Sequence, residues 1–115
     1  ICLGKKDVTL IKNELNISNE IVIFEGFFDY LTYRNLEKTN NSTCDFLILN
    51  STAIIFKVEE LLKEYDKISL FLDNDGNGEF VKSKIQYQYN NVEDCSLLYQ
   101  NFKDLNEWNC SKEDL

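Results

Sequence analysis

Ile68-Ser69-Leu70-Phe71-Leu72-Asp73-Asn74-Asp75-Gly76-Asn77-Gly78 is the stretch whose reading decides the fold. Its first five residues are apolar except for Ser69. A short, almost unbroken apolar run of this kind suits a strand covered on both faces of a parallel sheet. Where the run stops, two carboxylates stand two residues apart, and two glycines follow. Such a pair can reach one oxygen-loving cation, because magnesium typically takes one or two carboxylates together with water and phosphate oxygens. Asp73, Asp75, Asn77 and Gly78 would also fill the opening positions of a calcium-binding EF-hand loop. However, the position that must be a bidentate Glu in that loop is Lys84, and a β-type run precedes it instead of a helix. The plainer alternative is a solvated turn between strand and helix.

Three further runs read as strands: Ile21–Phe24, Phe46–Leu49 and, more weakly, Ser96–Tyr99. Between them lie stretches of helical spacing. In Thr52–Tyr65 the residues Ile54, Ile55, Val58, Leu61, Leu62 and Tyr65 recur on one face. Phe27–Lys38 reads as a second helix, and Glu79–Tyr89 as a third, with Val81, Ile85 and Tyr89 one turn apart. Strands alternating with helices imply βαβ crossovers and a parallel sheet. Residues 1–20 form a lead-in segment with a possible short strand at Asp7–Ile11, and residues 21–115 form the α/β domain.

In an open parallel sheet, ligands bind beyond the carboxyl ends of the strands. The acids of this chain gather there. Glu25 directly follows Ile21–Phe24, and the glycine after it permits a tight turn into the next helix. Asp29 lies one helical turn beyond Glu25 and can face the same opening; as a first-turn acid it also suits the helix dipole. The third acidic block, Lys103-Asp104-Leu105-Asn106-Glu107, reads in isolation as a helix start, with Asp104 as N-cap and Glu107 completing a capping box.

The composition bounds what such a cluster can serve. The chain has 115 residues, 43% hydrophobic and 28% charged, with four glycines and no proline. That suits one globular domain. The net charge of −8 argues against a free-standing duplex binder, since affinity for DNA comes from Lys and Arg set against phosphates. Cys2, Cys44, Cys95 and Cys110 show no paired spacing and there is no histidine, so buried thiols in a reducing cytoplasm are expected in place of a zinc site or disulfide framework. No run approaches the roughly 18 apolar residues of a membrane span. With Ile1 first and no methionine anywhere, the chain is expected to be a piece of a larger protein.

The three acidic blocks, in this order, resemble the Toprim domain shared by bacterial primases, topoisomerases, certain nucleases and recombination-repair proteins. That family carries a Glu-Gly after its first strand and an Asp-x-Asp after its third, matched by Glu25-Gly26 and Asp73-Asn74-Asp75. The primase branch adds E-G-[YF]-x-D, D-x-D-x-x-G and K-D-P-[DN]-E blocks, which resemble Glu25–Asp29, Asp73–Gly78 and Lys103–Glu107. Three departures stand out. The primase glycine-threonine turn appears as Asn50-Ser51-Thr52, the usual proline is Leu105, and the acid after it is Asn106.

The resemblance implies a Rossmann-like Toprim fold, with a central parallel sheet of about four strands flanked by helices. It also implies that Glu25, Asp73 and Asp75 are catalytic and the primary ligands of Mg2+, for which Mn2+ is a surrogate. Asp29, Asp104 and Asn106 would complete the cluster, and Lys82, Lys84 and Lys103 are the candidate nucleic-acid contacts. The implied parent is a cytoplasmic DNA primase-like nucleotidyltransferase that meets its DNA template and nucleotides through flanking domains. Cleavage of phosphodiesters, as in Toprim nucleases and topoisomerases, is the alternative within enzymes. A non-catalytic DNA-binding or assembly module is the alternative outside them, and a phosphate-accepting receiver-like domain fits the Asp-x-Asp pair poorly.

Overall fold

The computed structural model describes residues 2–4, 9–12, 19–37, 44–49 and 59–113. Their elements run in the order β1 (Cys2–Gly4), β2 (Thr9–Ile11), β3 (Glu20–Phe24), α1 (Phe27–Glu37), β4 (Asp45–Ile48), α2 (Glu59–Leu62), β5 (Lys67–Phe71), α3 (Gly76–Gln88), β6 (Val92–Asp94), a 3-10 turn (Ser96–Tyr99) and α4 (Leu105–Glu113). The six strands form one sheet in the order β1-β2-β4-β3-β5-β6. β4, β3, β5 and β6 pair in parallel, while β1 and β2 extend the sheet antiparallel beyond β4. The described parts of the lead-in segment thus belong to the same sheet.

The unbroken apolar runs of β3 and β5 are explained by cover on both faces. Ile21 and Ile23 point into one layer with Leu47, Ile68, Leu70, Val81 and Ile85. Val22 and Phe24 point into the other with Phe46, Phe71, Tyr99 and Leu105. Aromatic packing dominates this second layer. Phe24 stacks on Phe71 at 5.5 Å between ring centroids and meets Tyr33 edge-on at the same distance; such pairs contribute about 0.5–1.5 kcal/mol each beyond the area they bury. α3 packs in the first layer through Val81 and Ile85, and α1 in the second through Tyr30 and Tyr33.

This arrangement places a crevice. The chain leaves β3 toward β4 through α1 on one face, and leaves β5 toward β6 through α3 on the other. β3 and β5 are neighbours, so the loops after them part between the two faces. Phe24 pairs with Phe71, which brings Glu25 and Leu72-Asp73 side by side at the mouth of this switch point.

Several expectations need adjustment. Ser96–Tyr99 is a 3-10 turn, and the fourth parallel strand is Val92–Asp94. The Asp94 carboxylate accepts from Ser96 N–H at 2.9 Å and Leu98 N–H donates to Cys95 O, so the chain curls at the end of the strand. α3 begins three residues earlier than its apolar spacing suggested, because Asp75 caps it. Of the helix expected over Thr52–Tyr65, Glu59–Leu62 is helical and Tyr65 lies in the turn after it, while 52–58 fall outside the described residues. In the possible strand Asp7–Ile11, Thr9–Ile11 is β2 and residues 7–8 fall outside the description. Cys44 and Cys95 are half-buried and Cys110 exposed, where burial was expected. No helix among the described residues is long and apolar enough to cross a membrane.

Candidate metal centre

Five carboxylates meet at the mouth of the crevice in two overlapping triads. Glu25, Asp73 and Asp75 can bring one oxygen each within 4.8 Å of one another, and so can Asp29, Asp73 and Asp104. Asp73 belongs to both. Four parts of the fold supply them: Glu25 comes from the end of β3, Asp29 from the first turn of α1, Asp73 and Asp75 from the loop after β5, and Asp104 from the start of α4.

Local hydrogen bonds fix them. Asp73 N–H donates to Glu25 Oε1 at 3.1 Å, tying the first and second blocks together. Asp75 is the N-cap of α3 and accepts from Gly78 N–H at 2.8 Å. Asp104 accepts from Glu107 N–H at 2.8 Å, and Glu107 reaches back to Lys103 N–H at 3.1 Å, so the expected capping box forms with its return bond one residue further out. Asp29 is buried at 4% exposure and accepts from Asn106 N–H at 3.0 Å. Capping and membership of a triad coexist in Asp75 and Asp104, since a carboxylate has more lone pairs than one cap bond uses.

The electrostatics match the crowding. Burial, and then the charge of Asp73, push the Glu25 carboxyl up to about 7. Burial pushes Asp29 up to about 7 as well; the Asn106 N–H opposes this and the charges of Asp104 and Asp73 add to it. Asp73 rises to about 6 through burial followed by the charges of Asp104 and Asp75. Each proton retained near neutrality marks a carboxylate short of positive charge.

Two observations fit these residues to a divalent cation. Asp73 Oδ1 is buried and has no hydrogen-bond partner among the described residues, a costly state for a carboxylate oxygen unless something else supplies the counter-charge. The donors are also all carboxylate oxygens, the set that suits magnesium or manganese. Backbone packing supports the cradle. A Cβ on Gly78 would overlap the Asp73 carbonyl oxygen and lie 2.8 Å from Glu25 Oε1, so only glycine lets α3 approach this closely. Gly76 has open space around it and Gly26 only an ordinary contact, so neither is sterically obligatory.

The remaining sequence candidates fall differently. Asn106 lies beside the cluster, but its side-chain oxygen accepts from Thr32 Oγ1 at 2.9 Å, which joins α4 to α1. Lys103 is exposed, and its charge favours the ionised form of Asp73, so it stands beside the acids. Lys82 bridges Glu79 at 2.9 Å and Asp94 at 3.2 Å, holding α3 to β6. Lys84 lies over the Phe80 ring. Two residues near the site went unnoticed in the sequence. Tyr99 donates its buried hydroxyl to Leu72 O at 2.7 Å, and Asn74 bonds to the segment leading into α4. Neither carries a signal in one sequence, since each acts through the backbone of a distant segment.

A family model described as Toprim-like matches residues 22–109. The chain belongs to the Toprim-like family. Among solved structures, this Toprim domain is similar to the primase fragment of the bacteriophage T7 primase-helicase protein, with 21% identity and a TM-score of 0.69 over 92% of this chain and 45% of that one. It is also similar to a chain in the complex of bacteriophage T7 lagging-strand DNA polymerase with primase domains bound to an RNA/DNA hybrid and dTTP. There the identity is 22% and the TM-score 0.67, over 97% of this chain and 58% of that one. The Toprim domain thus spans about half the length of the chains it matches. No curated protein sequence matches it. The resemblance drawn from the three acidic blocks holds, and with it the α/β fold.

Proposed function

We propose that this Toprim domain is the magnesium-binding catalytic domain of a DNA primase-like protein, which transfers nucleotidyl groups to build RNA primers on single-stranded DNA. The observation that carries the reading is the sharing of Asp73, with its buried unpaired oxygen, between two carboxylate triads at the switch point of the sheet. Glu25, Asp73 and Asp75 would hold one Mg2+; Asp29 and Asp104, again with Asp73, would complete the cluster. Bound there, the ion would offset charge building on phosphate oxygens in the transition state.

The protein's own groups have distinct parts in this reading. Asp75 and Gly78 fix the α3 N-terminus against Asp73 and Glu25. The Asn106 backbone N–H orients Asp29, and Thr32 Oγ1 holds the Asn106 side chain by donating to its Oδ1. Glu25, with a carboxyl near 7, can hold or release a proton at working pH, as acid–base work in nucleotidyl transfer would need. Template and nucleotides would be bound with the help of flanking, more basic segments in the cytoplasm, because a net charge of −8 opposes DNA. The T7 complex, with its primase domains on an RNA/DNA hybrid and dTTP, supports that class of partner.

The test is primer synthesis by the full-length parent on single-stranded DNA with ribonucleotides and Mg2+. Activity lost in Glu25→Gln and Asp73→Asn chains that remain folded supports the reading. Synthesis unaffected by Asp73→Asn refutes it, and cleavage of the template in place of synthesis assigns the domain to the nuclease class.

A further inference from the structure

Asn74 stands between two acids of the cluster yet is a member of neither triad. Its side-chain amide donates to two backbone carbonyls, Tyr99 O at 3.0 Å and Phe102 O at 2.9 Å. Its backbone N–H donates to a third, Lys103 O, at 2.6 Å. All three acceptors lie on the segment from the end of the 3-10 turn to the start of α4, and the next residue is Asp104. Carbonyls in such an irregular segment have no ladder partners and must find other donors; Tyr99 O also accepts from Phe102 N–H within the segment, at 2.9 Å. We infer that Asn74 is a positioning residue, which sets Asp104 in register with Asp29 and Asp73 and so couples the second acidic block to the third.

The chemistry explains the residue type. One short planar amide offers two N–H groups at a fixed angle, enough to meet two carbonyls while the main-chain N–H meets the third. Asp in its place would present oxygens to carbonyls, and Gln would push the amide outward by a methylene. Asp104 is also held locally, its carboxylate by Glu107 N–H and its carbonyl by Trp108 N–H at 3.2 Å, bonds that join it to α4 but do not set where the turn lies. The Asp29 to Asn106 bond constrains the far side of the same turn. Asn74 therefore fixes the near side. The functional consequence rests on the metal-binding reading above; the geometric one does not.

The experiment compares Asn74→Leu, close in size but without donors, with Asn91→Leu. The latter removes an amide bond to Tyr65 O at the opposite end of the sheet and controls for general loss of stability. Asn74→Ser, which restores a single donor, serves should the leucine variant not fold. Two readouts are taken on the whole chain: hydrogen exchange at the Asn106 and Glu107 amides without metal, and binding of Mn2+ by electron paramagnetic resonance. Exchange at these two amides should accelerate in the Asn74 variants beyond any change in Asn91→Leu. Manganese affinity should fall about 10- to 100-fold in Asn74→Leu, the range for loss of a group that orients metal ligands, and hold in Asn91→Leu. Exchange no faster than in the control overturns the inference, as does accelerated exchange with unchanged manganese affinity. If the unmodified chain takes up no Mn2+, the metal reading falls, and the exchange arm alone decides whether Asn74 positions Asp104.

Discussion

Replacing Asp73 with Asn should stabilise the metal-free domain at alkaline pH, although it removes a half-buried side chain's charge from the centre of the site. Asp73 lies within 4.8 Å of the other acids of both triads. At that separation, two unit charges repel by about 3.5 kcal/mol at an effective dielectric constant of about 20. Half-exposure of Glu25 and Asp73 and screening by salt reduce this to about 1–2 kcal/mol, or a rise of about 4–8 °C in melting temperature for a domain of this size. The pH dependence follows from the raised carboxyls. Glu25 rises from 4.5 to about 7 and Asp73 from 3.8 to about 6. The folded state thus holds these protons more tightly than the unfolded chain. Their contribution is fully present below about pH 4 and is lost as the pH climbs through the folded values near 6 and 7. The advantage of Asp73→Asn should accordingly grow from about pH 5 to pH 8. Magnesium at about ten times its dissociation constant should add about 1.4 kcal/mol to the unmodified domain at pH 8, and most of that gain should vanish in the variant. Melts followed by circular dichroism, at both pH values, in chelator and in magnesium, measure all of this. A variant destabilised at pH 8 with its magnesium response intact would refute the reasoning, because it would make Asp73 a hydrogen-bonded turn residue.

Gly78→Ala should destabilise by about 3 kcal/mol or more, since the new methyl overlaps the Asp73 carbonyl oxygen and crowds Glu25, while Gly76→Ala, in open space, should cost far less; urea titrations compare the two. Tyr99→Phe should cost about 1–3 kcal/mol by leaving the Leu72 carbonyl unpaired in the core, read from the same titrations. The isolated chain should make no primer and bind single-stranded DNA weakly at physiological salt, as its charge of −8 requires; fluorescence anisotropy showing tight binding would contradict this.

The central strands were legible because burial on both faces leaves an unbroken apolar run. Ile21–Phe24 and Ile68–Leu72 needed no information beyond their own residues. The acids were legible for a related reason: the carboxyl end of such a strand is where a parallel sheet opens to ligands. Ser96–Tyr99 misled because four residues, three of them apolar, have no period. Leu97 and Leu98 are in fact exposed, while Ser96 and Tyr99 point inward. The strand that does close the sheet, Val92–Asp94, carries two acids in three residues and reads as loop. Its place is given by pairing with β5, a contact remote in sequence.

The division of the acids was equally hidden. Spacing along the chain put Asp29 one turn from Glu25 and suggested one opening for both. In the fold, Asp29 turns inward beneath Asn106 and meets Asp104, so the two acids of the first block serve different triads. What divides them is the docking of α4 against α1 through Thr32, Asn106 and Asp29, an arrangement that spans more than seventy residues of sequence. The third block therefore does more than add one carboxylate. Its backbone supplies the N–H that orders Asp29, the charge of its Asp104 adds to burial in raising the Asp29 and Asp73 carboxyls, and Asn74 ties it to the loop bearing Asp73. A change that shifts this block should disturb the Asp29, Asp73 and Asp104 triad first, and should reach Glu25 and Asp75, held by β3 and the α3 cap, only through the Asp73 that the two triads share.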